Sequence, residues 1–113
     1  MLPQANRMRR ADEFRAAVRS GRRAGSATLV VHWTASRDEH AAHVGFVVSK
    51  AVGNAVTRHR VQRRLRHAIR ARLPLPASSL IVVRALPAAA RVEYAVLEAD
   101  LTKCLARIDG ARR

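Results

Sequence analysis

Acidic side chains are what this chain has least of among its ionisable groups: eight Asp and Glu stand against 22 Lys and Arg. Asp38 and Glu39 sit together in an expected loop and the other acids are dispersed, so no carboxylate cluster offers to hold two metal ions for protein-borne hydrolysis. Cysteine occurs once, at Cys104, which excludes an intramolecular disulfide and fits a reducing, cytosolic compartment. The longest apolar runs, such as Leu80 to Val83, fall far short of the ~20 residues that a membrane-spanning helix needs. Met1 to Arg10 carries arginines but no apolar stretch of signal-peptide length after them, so neither membrane insertion nor export is expected.

What is abundant is positive charge. The formal excess is +14, almost all of it arginine, whose planar fork grips phosphate bidentately, and a polyanionic partner follows. The arginines are interleaved with Val, Leu, Ile and Ala at regular spacing in a chain that is 49% hydrophobic. The charge therefore decorates a folded surface rather than a disordered tail. With 113 residues there is material for one modest core, and we expect a single domain spanning residues 1–113.

Phe14, Ala17 and Val18 recur at helical spacing within Ala11 to Ser20, with Asp12 placed to cap the start and Gly21 to end the helix in the left-handed conformation. Thr28 to Thr34 and His43 to Ser49 are β-branched and apolar, and the polar stretch between them predicts two antiparallel neighbouring strands. Val61, Leu65, Ala68, Ile69 and Leu73 form one helical stripe, while His59, Arg60, Arg63, Arg64, Arg66, His67 and Arg70 cover the opposite arc. Pro74 and Pro76 close that helix, and Leu80 to Ala85 reads as a central strand ended by Pro87. Leu97, Leu101, Cys104, Leu105 and Ile108 mark a last helix over Val92 to Ile108, before Gly110 and a basic tail. The order is at least αββαβα, with room for a short extra strand between Ala24 and Leu29 or near Ala41.

The most informative stretch is Val44 to Arg70, VGFVVSKAVGNAVTRHRVQRRLRHAIR. Gly53 permits a sharp turn, Asn54 can cap the following helix, and the first-turn N–H groups with Lys50 nearby make a positive end suited to an anion. The arginines at 58, 60, 63, 64 and 66 wrap more than half of the helix circumference, enough for one helix to meet two ligands.

This strand, Lys-x-x-Gly-Asn-Ala-Val turn and Arg-x-Arg basic helix resemble those of the bacterial ribonuclease P protein family. The resemblance extends to the early Asn6-Arg7, the helix containing Phe14, Gly21, and the strand that ends before Pro87. It implies an α+β fold of αβββαβα type: a small central mixed sheet packed with about three helices and a left-handed βαβ crossover that breaks the usual handedness rule, like the second domain of ribosomal protein S5. It implies a helper subunit of a ribonucleoprotein that removes 5′ leaders from precursor tRNA. Catalysis then belongs to an RNA with bound Mg2+, the protein carries no cofactor or metal of its own, and it joins the RNA as a monomer in a one-to-one complex.

Carried over residue by residue, the resemblance makes Lys50, Asn54, Arg58, Arg60, Arg63 and Arg66 the first RNA contacts, with His59, Arg64, His67 and Arg70 completing the basic surface. Phe14, Val18 and His32 are expected to line a cleft for the single-stranded leader, where aromatic faces stack on bases. This chain departs from the family at His59, where Asn is usual, at Gln62, where Lys is common, and at Val18 and His32, which replace aromatics. Leader binding should thus lean on charge more than on stacking.

Other readings compete residue by residue. Phe14 with Val18 is equally a core pair, His32 a packed histidine, Trp33 a buried structural residue, and Arg58 lies near enough to the apolar stripe to pack partly. His40 and His43 have the spacing of a metal pair but no obvious third ligand in sequence, so bound zinc is not expected. Cys104 falls on an apolar stripe and receives no chemistry. A ribosomal-RNA-binding protein and a duplex-DNA-binding protein would share the charge and size; the first needs no leader cleft, and the second lacks a further recognition element here.

Overall fold

The computed structural model describes residues 2–112. A first helix α1 (Ala11–Ser20) leads into strands β1 (Arg22–Gly25), β2 (Leu29–Ala35) and β3 (His43–Val47), followed by the long helix α2 (Ala55–Arg70), strand β4 (Ser79–Ala85) and helix α3 (Tyr94–Arg112). The order is αβββαβα, and the short additional strand is β1, which starts two residues before the expected place at Ala24 to Leu29 and overlaps it only at Ala24 and Gly25.

The four strands lie in the order β1-β2-β4-β3. β4 runs antiparallel to β2 and parallel to β3, so it is central as expected. The strands predicted to be neighbours, β2 and β3, are not: β4 lies between them. A polar loop between two apolar strands suggests a hairpin, but here it lets the chain cross over a gap that the later strand fills.

Strand alternation sends side chains to two unequal faces. On one face Leu29, Val31, Val44, Ile81, Val83 and Ala85 pack with Val61, Leu65, Ala68 and Ile69 of α2 and with Leu97, Leu101, Cys104 and Ile108 of α3. Each fully buried Val, Leu or Ile side chain among them contributes about 1.5–3 kcal/mol through removal from water. The opposite face is covered by α1 and Met8 before it, through Ala17 and Met8 with Leu80 and Val82, and with Phe14, Ala16 and Val47 partly buried around them. The residues preceding α1 shield the edge strand, for Met8 N–H donates to Val44 O at 3.1 Å.

Three helix ends differ from the sequence reading. Asp12 does not cap α1: the N-cap is Arg10 without a side-chain cap bond, and Asp12 sits in the first turn, paired with Arg10 at 3.0 Å. Gly21 is extended (φ −95°, ψ −179°) rather than left-handed. Its lack of a side chain serves close approach, because a Cβ there would collide with the carbonyl groups of Trp33 and Ala17. α3 starts at Tyr94 and continues through Gly110 to Arg112, since Gly110 projects into open space and nothing packs there to break the helix. Arg113, the end of the expected basic tail, lies outside the described residues.

Candidate nucleic-acid interface

The turn into α2 is built as its sequence demands. Lys50–Val52 form a single 3-10 turn, and Gly53 follows at φ 155°, where side-chain-bearing residues are strained. A Cβ at Gly53 would also press to 2.9 Å from the Thr57 methyl group. Asn54 then caps the helix, its Oδ1 accepting from Thr57 N–H at 2.9 Å. Other first-turn N–H groups remain directed outward at the positive end of the helix, with exposed Lys50 beside them.

Along α2 the cations fall into three groups. His59, Arg63 and Arg70 stand exposed opposite the buried stripe. Arg60, Arg64 and His67 lean toward the segment before α3: Arg60 Nη2 donates to Ala90 O and Arg64 Nη1 to Val92 O, each at 3.2 Å, while the His67 ring meets Tyr94 edge-on at 5.6 Å. These two arginines therefore serve the fold as well as the surface. Arg66 turns the other way, toward α1, and Arg58 is half-buried near the apolar stripe, in keeping with its angular position. Among the described residues no carboxylate lies within 4.0 Å of any α2 cation; the Arg10–Asp12 ion pair and the His43–Glu13 contact both lie elsewhere.

The structure treats the three expected cleft residues differently. Phe14 is half-buried at a cavity of about 350 Å³ where α1, β3 and α2 meet, joined there by Arg7, Phe46, Gln62 and Arg66 over a floor of Leu2, Met8 and Val44. The aromatic pair Phe14 and Phe46 is thus open to one flank of the basic helix. Gly45 is essential to this arrangement, since the Phe14 ring occupies the space a Cβ would take. Val18 is 36% exposed on α1 and does not line that cavity. His32 is only 4% exposed, and its Nε2 is buried without a partner. Burial, then the nearby charges of Arg84 and Arg23, hold its imidazole below the ordinary value of 6.5.

Arg7, Phe46, Arg23 and Arg84 were not marked as site residues in the sequence. Phe46 follows from the alternation HVGFV, whereas the approach of Arg23 and Arg84 to His32 depends on β1 and β4 both flanking β2. The third ligand judged missing beside His40 and His43 is also present: Glu13 of α1 brings its carboxylate to them, 30 residues from His43 in sequence. Cys104 is buried, and burial pushes its thiol up, so it stays protonated and unreactive.

The family model described as Ribonuclease P matches residues 2–109. The ribonuclease P protein component of Streptomyces avermitilis is 51% identical over 119 residues, covering 97% of both chains. That of a Nocardioides species is 52% identical over 111 residues, covering 96% of this chain and 95% of the relative. Among solved structures, the Staphylococcus aureus RNase P protein superposes with a TM-score of 0.81 at 23% identity, covering 93% of this chain and 98% of that one. The Thermotoga maritima RNase P protein gives 0.74 at 22% identity, over 86% and 92%.

Proposed function

Because the chain belongs to the ribonuclease P protein family and is thereby the protein component of an endoribonuclease that matures tRNA 5′ ends, we propose that it works by holding two RNA segments on two joined surfaces. Family membership sets aside the ribosomal and duplex-DNA readings and makes an RNA complex the working form. The observation that carries the two-surface reading is the unpaired cationic arc of α2 running, through Arg66, into the cavity of Phe14 and Phe46.

On this reading the catalytic RNA lies along His59, Arg63 and Arg70 and the helix start at Lys50 and Asn54. Arg58, Arg60, Arg64 and His67 contribute from the sides. Phosphate contacts of this kind supply affinity without demanding sequence, and each adds to the salt dependence. The precursor leader lies on the α1 side of the sheet, where Phe14 offers ring surface and Arg23 and Arg84 offer charge, and reaches round the β3 edge into the cavity lined by Arg7, Phe46 and Arg66. Val18 lies on the exposed side of α1, outside the cavity, and His32 acts beneath the surface as a packed ring between two arginines. A leader bound there adds affinity that the cleaved product loses, so the protein favours precursor over mature tRNA.

Mg2+ is a hard cation that seeks carboxylate or phosphate oxygens. α2 carries no carboxylate and a dense positive charge, a donor set that does not fit Mg2+. The ions belong with the RNA, and the protein lowers the Mg2+ requirement by offsetting phosphate repulsion. We assign one protein to one RNA in the cytoplasm; no helix among the described residues is long and apolar enough to cross a membrane.

The test is cleavage of a 5′-labelled precursor tRNA at low Mg2+ by the ribonuclease P RNA of the same organism, with and without this protein, alongside binding of tRNA with and without its leader. Protein-dependent release of the leader and tighter binding of the leader-bearing form are expected. Equal affinity of the protein-bound RNA for leader-bearing and leaderless tRNA would remove the second surface from the proposal.

A further inference from the structure

Beside the Phe14 cavity but sharing no residue with its lining, three residues from three different elements converge. Glu13 lies in the first turns of α1, His40 in the loop between β2 and β3, and His43 at the start of β3. Each brings one ligand-type atom to within 4.8 Å of the other two. Glu13 Oε2 lies 2.9 Å from His43 Nδ1, and both side chains are largely but not wholly shielded from solvent. His40 Nδ1 donates to the carbonyl of Ala41, which leaves the lone pair on Nε2, a nitrogen that is buried and has no hydrogen-bond partner. That is the arrangement of a metal-binding histidine, one nitrogen steadied by a carbonyl and the other available. The loop is already held in place, for Ser78 N–H donates to His40 O at 2.7 Å and Asn6 Nδ2 to Ala42 O at 2.9 Å.

From this geometry we propose that Glu13, His40 and His43 form a binding site for one divalent transition-metal ion of the Zn2+ class. Two imidazoles and a carboxylate are a borderline-soft donor set that suits Zn2+ and leaves a fourth position open, whereas Mg2+ prefers oxygen alone. The two imidazole rings lie face to face, 3.9 Å apart and 10° from parallel. A metal is bound in the plane of each ring, so capture requires one ring to turn. His43 is the one that turns, because its Nδ1 contact with Glu13 gives way when both become ligands, while the His40 ring keeps Nδ1 on the Ala41 carbonyl and presents Nε2. Metal binding would lock the start of α1, next to Phe14, onto β3 and its preceding loop. The site is independent of the RNA-processing reading.

The experiment titrates Zn2+ alone into the metal-free full-length protein by calorimetry and follows the five histidine rings by NMR. One ion per chain at low-micromolar Zn2+ is expected, with the His40 and His43 signals moving, those of His32, His59 and His67 staying, and millimolar Mg2+ having no effect. H40Q should weaken binding by at least about tenfold, and E13Q likewise, each with an unchanged circular dichroism spectrum. Should H40Q fail to fold, E13Q decides, since Gln preserves the size of the side chain. Unchanged Zn2+ affinity in a folded variant, shifts centred on His59 and His67, or no binding at all would overturn the proposal.

Discussion

α2 lays Val61, Leu65, Ala68 and Ile69 on one face of the sheet, and α3 lays Leu97, Leu101, Cys104 and Ile108 beside them on the same face; all but Ile108 are 0% exposed. Their outward sides have nothing in common. α2 presents six arginines, two histidines and no acid, whereas α3 mixes Glu98, Asp100 and Asp109 with its basic residues. Asp100 even serves the fold, accepting from Thr28 Oγ1 at 2.6 Å. Packing cannot account for this contrast, because both helices pack in the same way. Unpaired like charge on one helix costs repulsion that α3 avoids, a cost that the polyanion proposed to bind there would offset.

The comparison breaks most sharply on RNA affinity. Arg63→Glu with Arg66→Glu, two exposed positions that make no bonds to the fold, should weaken binding to the catalytic RNA by on the order of a thousandfold at physiological salt. Lys103→Glu on α3 should change it less than about threefold, and filter binding of both variants decides. The Arg60 and Arg64 pair is a poorer choice for reversal, although its place on the basic arc recommends it, because both side chains also bond the carbonyls before α3.

On the inside the two helices should become indistinguishable. Leu65→Ala and Leu101→Ala should each cost about 2–5 kcal/mol in urea unfolding, since both side chains are completely buried. A large difference between them would mean that the helices do not share one core. Smaller is the loss expected for Asn54→Ala, about 1 kcal/mol, from removal of the α2 cap. It should be accompanied by weaker RNA binding, measured in parallel with stability.

The smallest effect concerns the other face of the sheet. The folded-state value for His32 lies below 6.5, so between the two values the unfolded chain binds more protons than the folded one. The contribution of His32 to stability is complete above about pH 6.5 and is lost as pH falls toward the folded value. Urea midpoints from pH 7.5 to 5 should therefore fall less steeply for His32→Leu than for the wild type, and equal slopes would refute the assignment.

Much of this was legible in the chain itself. The helical stripes of α2 and α3, the Gly53-Asn54 turn and the central position of β4 follow from local spacing and turn chemistry, which act over a few residues. Pairing partners and clusters did not follow, because they depend on which strand is inserted where. Nothing near His43 announces Glu13, nothing in LVVHWT announces that Arg84 will lie beside His32, and the polar loop after β2 concealed the separation of β2 from β3. Gly21 was noticed for the wrong reason: its small size mattered, not its freedom of φ.

The position of β4 also sets a timetable for synthesis. Until Ser79–Ala85 have been made, β3 has no partner strand and the face that α2 must cover lacks its middle. A nascent chain ending near residue 75 thus carries the whole basic helix over a split floor, with its arginines already complete. The last third of the polypeptide is consequently what turns a charged segment into a shaped surface, and truncation before β4 should leave a chain that is sticky toward RNA in general and selective for none.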